Sequence, residues 1–239
     1  MPFMLQYYCL NFGKGAKTDF MIKFNDIKSD ESIRTYIKKA DESLKALGYT
    51  EHSFAHVTKV SETAAYILCT LGYSERDIEL AKIAAYLHDI GNLVNRADHS
   101  QSGAIMAFRI LYNMDMPADE LSQIVTAIGN HDEGTGVAVN PISAALILAD
   151  KSDVRRSRVR NTDFNTFDIH DRVNYSVEKS ELSISEDKSE IILRLSIDTD
   201  IGAVMDYFEI FIGRMKMCRN AAKALGLRFR LYINGQNLL

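Results

Sequence analysis

The stretch Tyr86-Leu87-His88-Asp89-Ile90-Gly91 ends an apolar helical pattern with two adjacent side chains that can ligate a metal ion, followed by a glycine. A buried imidazole beside a buried carboxylate is costly unless a partner or a metal ion compensates. The dipeptide alone is weak evidence, since His-Asp also occurs at 131–132 and 170–171. Only the pair at 88–89 ends a strongly apolar helix, and this context makes it the candidate site.

Two other predicted helices carry a ligand-type residue on an apolar face. His56 lies on the apolar stripe of a helix predicted over 53–71, and Asp150 directly follows the apolar run 144–149. An aliphatic side chain would pack better at each position, and departures from local rules are expected at functional sites. Three separate helices are therefore expected to contribute to one function.

The hydrophobic pattern predicts a mainly α fold with a small α+β unit at its end. Apolar residues recur every three to four positions in six segments, which we place at about 29–47, 53–71, 74–88, 102–113, 117–130 and 142–155. After a polar connection at 157–174, alternating apolar residues predict a hairpin, and a long amphipathic helix and a last strand follow it. The prediction is a helical bundle followed by a β-β-α-β unit.

We divide the chain into three parts on this basis: a leader of uncertain structure (1–26), a helical domain (27–160) and the small α+β unit (161–239). The leader has no sustained period. Its segment Gly13-Lys14-Gly15-Ala16-Lys17-Thr18 lacks the Gly-Lys-Ser/Thr ending of a phosphate-binding loop.

Composition excludes several classes of protein. The chain has 239 residues, 28 Lys and Arg against 32 Asp and Glu, and a net charge of −4, which gives no electrostatic footprint for a nucleic-acid duplex. The three cysteines are far apart and odd in number, so neither a disulfide framework nor a cysteine metal knuckle is expected, and a reducing cytoplasm is favoured. Neither a membrane span nor a signal peptide is expected.

The order His56, His88-Asp89, Asp150 resembles the H…HD…D signature of the HD-domain superfamily of metal-dependent phosphohydrolases. The resemblance covers about residues 50–156 and includes the segment Leu-Ala-Asp-Lys-Ser-Asp around Asp150. It implies an HD-type helical bundle in which these four residues bind one divalent ion. Asp89 and Asp150 are the predicted catalytic residues.

Two more histidines lie at helix boundaries between the HD pair and Asp150. In this order His99 and His131 resemble the two-metal branch that includes bacterial diadenosine-tetraphosphate hydrolases. The resemblance implies that they hold a second ion and that Asp89 bridges the two. Imidazole and carboxylate ligands without a thiolate favour Fe or Mn, with Zn, Co and Ni also open, and one or two ions are expected.

The predicted function is a cytoplasmic phosphohydrolase that cleaves a phosphoester or phosphoanhydride of a small phosphorylated substrate, with a nucleotide favoured, by attack of metal-bound hydroxide. Lys151, Arg155 and Arg156 follow Asp150 on the same predicted helix and are the candidate substrate-binding residues. For the two arginines, a solvated helix end competes evenly with phosphate binding.

The alternative function is a regulatory HD module that binds a nucleotide or a metal without turnover. The complete set of six ligands favours the enzyme. Asn92 favours the alternative, because many HD proteins carry a lysine at this position and a neutral amide cannot supply its charge.

The remaining candidates receive structural interpretations. His52 lies four residues before His56 and could face the cavity, but a surface turn is favoured. The pair His170-Asp171 is expected to be structural, and Cys69 is expected to pack in the core. The Phe- and Met-rich late helix predicts either core or a dimer face, so a homodimer is possible. The C-terminal unit is expected to serve dimerisation or to cover the pocket.

Overall fold

The computed structural model describes residues 21–239. The leader predicted over 1–26 therefore lies largely outside the described residues, as does the Gly-Lys segment at 13–18. The mainly helical fold class is confirmed. The helical part contains α1 (Phe24–Ser29), α2 (Glu31–Ala46), α3 (Phe54–Leu71), α4 (Glu75–Leu87), α5 (His99–Asn113), α6 (Ala118–Gly129) and α7 (Pro141–Ser152).

Local capping signals set several helix ends. The Ser53 hydroxyl accepts the backbone N–H of Ala55 at the start of α3, and Gly72 ends that helix in the left-handed conformation at φ 86°. The Asn140 side chain accepts the N–H of Ser143 at the start of α7, whose first residue is a proline. These signals are visible in the sequence, and the predicted helices begin or end close to them.

Three boundaries differ from the prediction. Asp30, not Ser29, caps α2 by accepting the N–H of Ile33. Helix α5 begins at His99, three residues before the predicted start, and a short 3₁₀ helix at Ile90–Leu93 precedes it. Helix α7 ends at Ser152, and the buried Asp153 that follows it contacts His56 of α3, so the prediction that this helix continues to about residue 155 is wrong.

The C-terminal unit has the predicted β-β-α-β order with two additions. It consists of β1 (Val177–Ile184), β2 (Glu190–Ile197), α9 (Val204–Ala224), β3 (Arg228–Ile233) and β4 (Gln236–Asn237). The sheet order is β1-β2-β3-β4, with β2 and β3 parallel and the other pairs antiparallel. A further helix, α8 (Ile169–Ser176), forms inside the stretch predicted as a polar connection.

The two parts share one continuous hydrophobic core that runs from the helices into the sheet. Helix α9 packs against α7 and against β3. Of the Phe and Met residues in this late helix, Phe211, Met215 and Met217 are buried core residues. Cys69 is exposed, so its prediction as a core residue is wrong. Among the helices described over 21–239, none combines the length and the apolar character that a membrane crossing requires.

Candidate metal centre

Five helices bring the six predicted ligands to one place in the bundle. His56 lies in the first turn of α3, His88 and Asp89 directly follow α4, and His99 is the first residue of α5. His131 follows the end of α6, and Asp150 lies in the last turn of α7. All of them are buried except Asp150, whose side chain is 12% exposed.

The first half of the centre joins His56, His88 and Asp150. The Nε2 atoms of His56 and His88 lie 3.4 and 3.7 Å from Asp150 Oδ1. The same two nitrogens lie 3.7 and 3.2 Å from Asp89 Oδ2. This half has the two imidazoles and two carboxylates that the resemblance implies for one ion.

The second half of the centre lies at Oδ1, the other carboxylate oxygen of Asp89. Asp89 Oδ1 is 3.4 Å from His99 Nε2 and 3.9 Å from His131 Nε2, and the two imidazole nitrogens are 3.2 Å apart. Asp89 therefore presents one oxygen to each half, which is the position that a bridging ligand needs.

Hydrogen bonds fix the orientation of all four imidazoles. Each Nδ1 faces an oxygen that only accepts: His56 faces Asp153 Oδ2 at 2.8 Å, His88 faces the carbonyl of Ala85 at 2.7 Å, His99 faces that of Arg96 at 3.1 Å, and His131 faces that of Ile128 at 2.6 Å. In the neutral form of each ring the proton is therefore assigned to Nδ1. In that form the four Nε2 lone pairs converge on the two aspartates.

This donor set fits a divalent transition metal. The Nε2 atoms of His56 and His88 are buried and have no hydrogen-bond partner among the described residues, which is costly without a ligand. Two groups of side chains have donor atoms close enough to hold an ion: His56, His88 and Asp150, and His88, Asp89 and His131. Imidazole and carboxylate donors with no thiolate suit such an ion.

Two glycines allow the close approach that places His99 beside Asp89. A Cβ on Gly91 would overlap the carbonyl oxygen of His99 and the backbone nitrogen of Gly103. A Cβ on Gly103 would in turn lie 3.2 Å from the backbone of Gly91 and of His88. The chain after the HD pair thus runs directly against the first turns of α5.

The pKa values of the centre show which groups carry charge. Burial raises the pKa of Asp89 and Asp150, but His88 next to the first and Lys151 next to the second outweigh it, so both pKa values lie well below their usual range. Burial and the nearby His88 lower the pKa of His131 to about 3. The aspartates are therefore ionised and His131 is neutral, as metal ligands must be.

The predicted substrate-binding residues occupy different places. Lys151 is buried, and its Nζ lies 2.7 Å from Asp150 Oδ2. Arg155 pairs with Asp153 and Glu51, and the Nε of Arg156 donates to the carbonyl of Tyr175 in α8. Only Lys151 contacts one of the six ligands. The predicted role of all three stays a prediction.

Two residues around the centre, Asp153 and Arg96, were not predicted from the sequence, and Asn92 was predicted only as a position that brings no charge. Asp153 holds His56 and is itself 2.8 Å from Lys59 Nζ. The amide of Asn92 donates to Asp89 Oδ1 at 3.0 Å, so this residue orients the shared carboxylate instead of supplying charge. Arg96 Nη1 lies 3.4 Å from His99 Nε2. Asp153 offered the one visible signal, an acid three residues after Asp150.

A cavity of about 340 Å³ lies beside the centre, between the helical part and the C-terminal unit. Its walls include Tyr49, His52, Arg96, Arg158, Asp168, His170, Asp171, Asn174, Phe211 and Arg214. The expectation that His52 belongs to a surface turn is therefore wrong, because it lines this cavity and its ring centroid is 5.6 Å from that of His56. His170 and Asp171, expected to be only structural, also line this cavity.

Comparison with known proteins agrees with the geometry. The family model of the HD domain matches residues 53–157. The uncharacterized protein MJ1020 of Methanocaldococcus jannaschii is 25% identical over 197 residues, which cover 71% of this chain and 75% of that protein. Ribonuclease Y of Enterococcus faecalis is 26% identical over 172 residues, which cover 64% of this chain and 31% of that protein.

A solved structure, that of a predicted HD superfamily hydrolase from an uncultured Thermotogales bacterium, is similar with a TM-score of 0.39 and 22% identity, covering 56% of this chain and 75% of that one. The match of the family model spans all six of the clustered histidines and aspartates. Residues 53–157 therefore form an HD domain, which places this part of the chain in the HD domain superfamily.

Proposed function

We propose that the protein is a metal-dependent phosphohydrolase that cleaves a phosphoester or phosphoanhydride bond of a small substrate, with a nucleotide as the substrate class. The observation that carries the proposal is the convergence of four buried Nε2 atoms on Asp89 and Asp150, with every Nδ1 committed to another acceptor. If these rings served only for packing, their buried nitrogens would be expected to have hydrogen-bond partners. The Nε2 atoms of His56 and His88 have none among the described residues.

Each half of the centre would hold one ion. His56, His88, Asp89 and Asp150 would hold the first, and His99 and His131 would hold the second together with Asp89. Divalent ions supply Lewis-acid stabilisation of the phosphoryl charge and activation of water. The assignment to the two-metal branch with diadenosine-tetraphosphate hydrolases stays a prediction, as do the cytoplasmic location and the homodimer.

The side chains around the centre have tasks of their own. Asn92 holds the shared carboxylate through its amide, and Lys151 offsets the charge of Asp150. The His52 Nδ1 donates to the carbonyl of Thr50 at 2.7 Å, so its Nε2 can accept a hydrogen bond from a group in the cavity. Burial of the ligands keeps bulk water away and strengthens these interactions.

A non-catalytic HD module remains the second candidate. Asn92 is the observation that favours it, because the amide brings no charge to the centre. A module of that kind would bind metal or nucleotide, and the same samples that test for turnover separate the two candidates.

Product release tests the proposal. The full chain, purified anaerobically and loaded with Fe, Mn, Zn, Co or Ni, is assayed on nucleotides, dinucleoside polyphosphates and short RNA, the last because one relative is named a ribonuclease. We expect turnover of at least one substrate and its loss by ~100-fold or more in Asp89→Asn, since this ligand serves both halves.

Asp119→Asn, an exposed acid in the first turn of α6, is the matched control and should keep full activity. Failure of every metal-loaded sample to release product, while metal is bound, would leave the non-catalytic module. Equal turnover in the Asp89→Asn variant would remove the proposed centre from the chemistry.

A further inference from the structure

The cavity beside the metal centre is connected to it through its basic side chains. Arg96 reaches His99 directly, and Arg158 Nη1 lies 3.8 Å from Asp153 Oδ2, which holds His56. Arg214 Nε is 2.6 Å from Glu133, and Glu133 is 3.6 Å from Lys151 Nζ. A molecule in this cavity would therefore lie against the centre.

Arg96 differs from the other two arginines in having no carboxylate partner within 4.0 Å among residues 21–239. Arg158 forms an ion pair with Asp153, and Arg214 forms one with Glu133. The polar contacts of Arg96 are with the neutral groups of Asn92 and His99. A half-buried guanidinium that faces a cavity without a counter-charge is suited to an anion from solution, and its fork of donors matches a phosphate.

The acidic residues of the cavity wall do not compensate Arg96. The Asp168 side chain accepts the backbone N–H of Asp171 and caps α8, and Asp171 Oδ2 accepts from Asn161 at 3.2 Å. Both carboxylates are therefore engaged in holding α8 in place.

The rest of the cavity suits a planar polar group. Tyr49 is 43% exposed, and the Arg96 guanidinium lies 5.7 Å from the centroid of its ring. On the α8 wall the amide nitrogen of Asn174 donates to the carbonyl of His170. Both residues line the cavity, and His170 is exposed, so its side chain can contact a ligand. An aromatic side chain and polar groups that line the same cavity are an arrangement that a nucleobase would fit.

The volume limits the size of the ligand. Pockets for small molecules span ~300–1,000 Å³, and a cavity of about 340 Å³ lies at the low end of that range. It therefore suits one nucleotide in preference to a dinucleoside polyphosphate.

We propose that this cavity is a binding site for a single nucleoside monophosphate unit, that Arg96 binds its phosphate, and that α8 of the C-terminal unit contacts its base. The proposal rests on the proposed function, in that the cavity is taken as the place of the substrate. It assigns the C-terminal unit a part in choosing the substrate.

The test is calorimetric titration of the metal-loaded full chain with the non-hydrolysable phosphonate analogues of the four ribonucleoside monophosphates, and separately with inorganic phosphate. We expect at least one analogue to bind more tightly than phosphate. Arg96→Gln should weaken its binding by ~10-fold or more, because a hydrogen-bonded charge pair is lost. Arg109→Gln, an exposed arginine of α5, is the matched control and should bind as the wild type does.

A second variant tests the α8 wall. His170→Ala changes an exposed residue. It should weaken the binding of the nucleotide analogue and leave the binding of phosphate unchanged. Binding of phosphate as tight as that of every analogue, or unchanged binding in Arg96→Gln, would overturn the proposal. Loss of metal from Arg96→Gln would also overturn the proposal, since Arg96 would then serve to position the metal ligand His99 and not to bind phosphate.

The same titration separates this proposal from the proposed function. Arg96-dependent binding without product release in any sample would remove the hydrolase and keep the site. Turnover of a nucleotide with an unchanged KM in Arg96→Gln would keep the hydrolase and remove the site.

Discussion

At the scale of single residues, the centre depends on how each imidazole is held as much as on which residues are present. His56 is held by a carboxylate, and the other three are held by backbone carbonyls. Burial raises the pKa of Asp153, but the hydrogen bond from His56 and the nearby charges of Arg158 and Lys59 outweigh it and lower the pKa below the usual range. Asp153 is therefore an anion that orients His56.

Asp153→Asn should weaken metal binding by ~10–100-fold, because it removes the charge behind a ligand and leaves the ligand in place. Competition with a chelator of known affinity measures the effect. Lys59→Gln is the control, since Lys59 is 42% exposed and contacts the other oxygen of the same carboxylate. It should change the affinity by less than ~5-fold. Equal affinities for wild type and Asp153→Asn would show that His56 needs no anion behind it.

The sequence identified the residues that the structure brings together, because a histidine or an aspartate on an apolar stripe is visible in a pattern. It did not identify Asp153, whose side chain contacts His56 from the residue directly after α7. Arg96 was missed for a similar reason. Its position depends on the loop between the 3₁₀ helix and α5, and no periodic pattern describes that loop.

At the scale of elements, the contact between the chain after the HD pair and α5 decides whether the second half of the centre exists. Gly91 and Gly103 face each other across this contact, and neither has room for a larger side chain without movement. Helix α5 would have to move away from α4 to accommodate one, and His99 would move with it.

Gly91→Ala should therefore destabilise the fold by ~3 kcal/mol or more, at the upper end of overpacking effects, because backbone atoms block the new Cβ. Urea unfolding of the full chain measures it. Gly213→Ala is the matched control in α9, where no atom outside the helix backbone lies within 4 Å of the position that the added methyl group would take, and it should stabilise by ~0.5–1 kcal/mol. Comparable unfolding free energies for the two variants would contradict the close approach.

The helices themselves could be predicted from period and caps, since Ser53, Gly72 and Asn140 act as their residue types indicate. The start of α5 could not, because Asp98 caps it from a left-handed backbone at φ 55° and makes no side-chain capping bond. Helix α8 could not be predicted either, as most of its surface is polar. Its buried Val173 and Asn174 pack through tertiary contacts.

At the scale of the whole molecule, the helical domain and the C-terminal unit form one core. Cys218 of α9 is buried in it, whereas Cys69 of α3 is exposed. Burial raises the pKa of the Cys218 thiol to about 12, so very little of it is thiolate at pH 8.

Thiol labelling at pH 8 should therefore modify Cys69 rapidly in the native protein and Cys218 only as the whole chain unfolds. The comparison uses Cys9→Ser/Cys218→Ser and Cys9→Ser/Cys69→Ser chains. The labelling of Cys218 should follow the global unfolding curve in urea. Rapid labelling of Cys218 before that transition would mean that the C-terminal unit opens independently and that the shared core does not act as one unit.

The division of the chain at 27–160 and 161–239 stays a prediction, and the shared core explains why the pattern alone could not decide it. A change from helical to alternating period marks a change of local structure. It does not show whether α9 packs on its own sheet alone or also on α7, and here it packs on both.

The metal content of the anaerobically purified full chain tests the central claim most directly. We expect at least one transition-metal ion per chain by mass spectrometry, and its loss in His88→Ala, whose Nε2 faces both aspartates. A wild-type chain that is metal-free and takes up neither Fe²⁺ nor Mn²⁺ nor Zn²⁺ when these are supplied would contradict the claim.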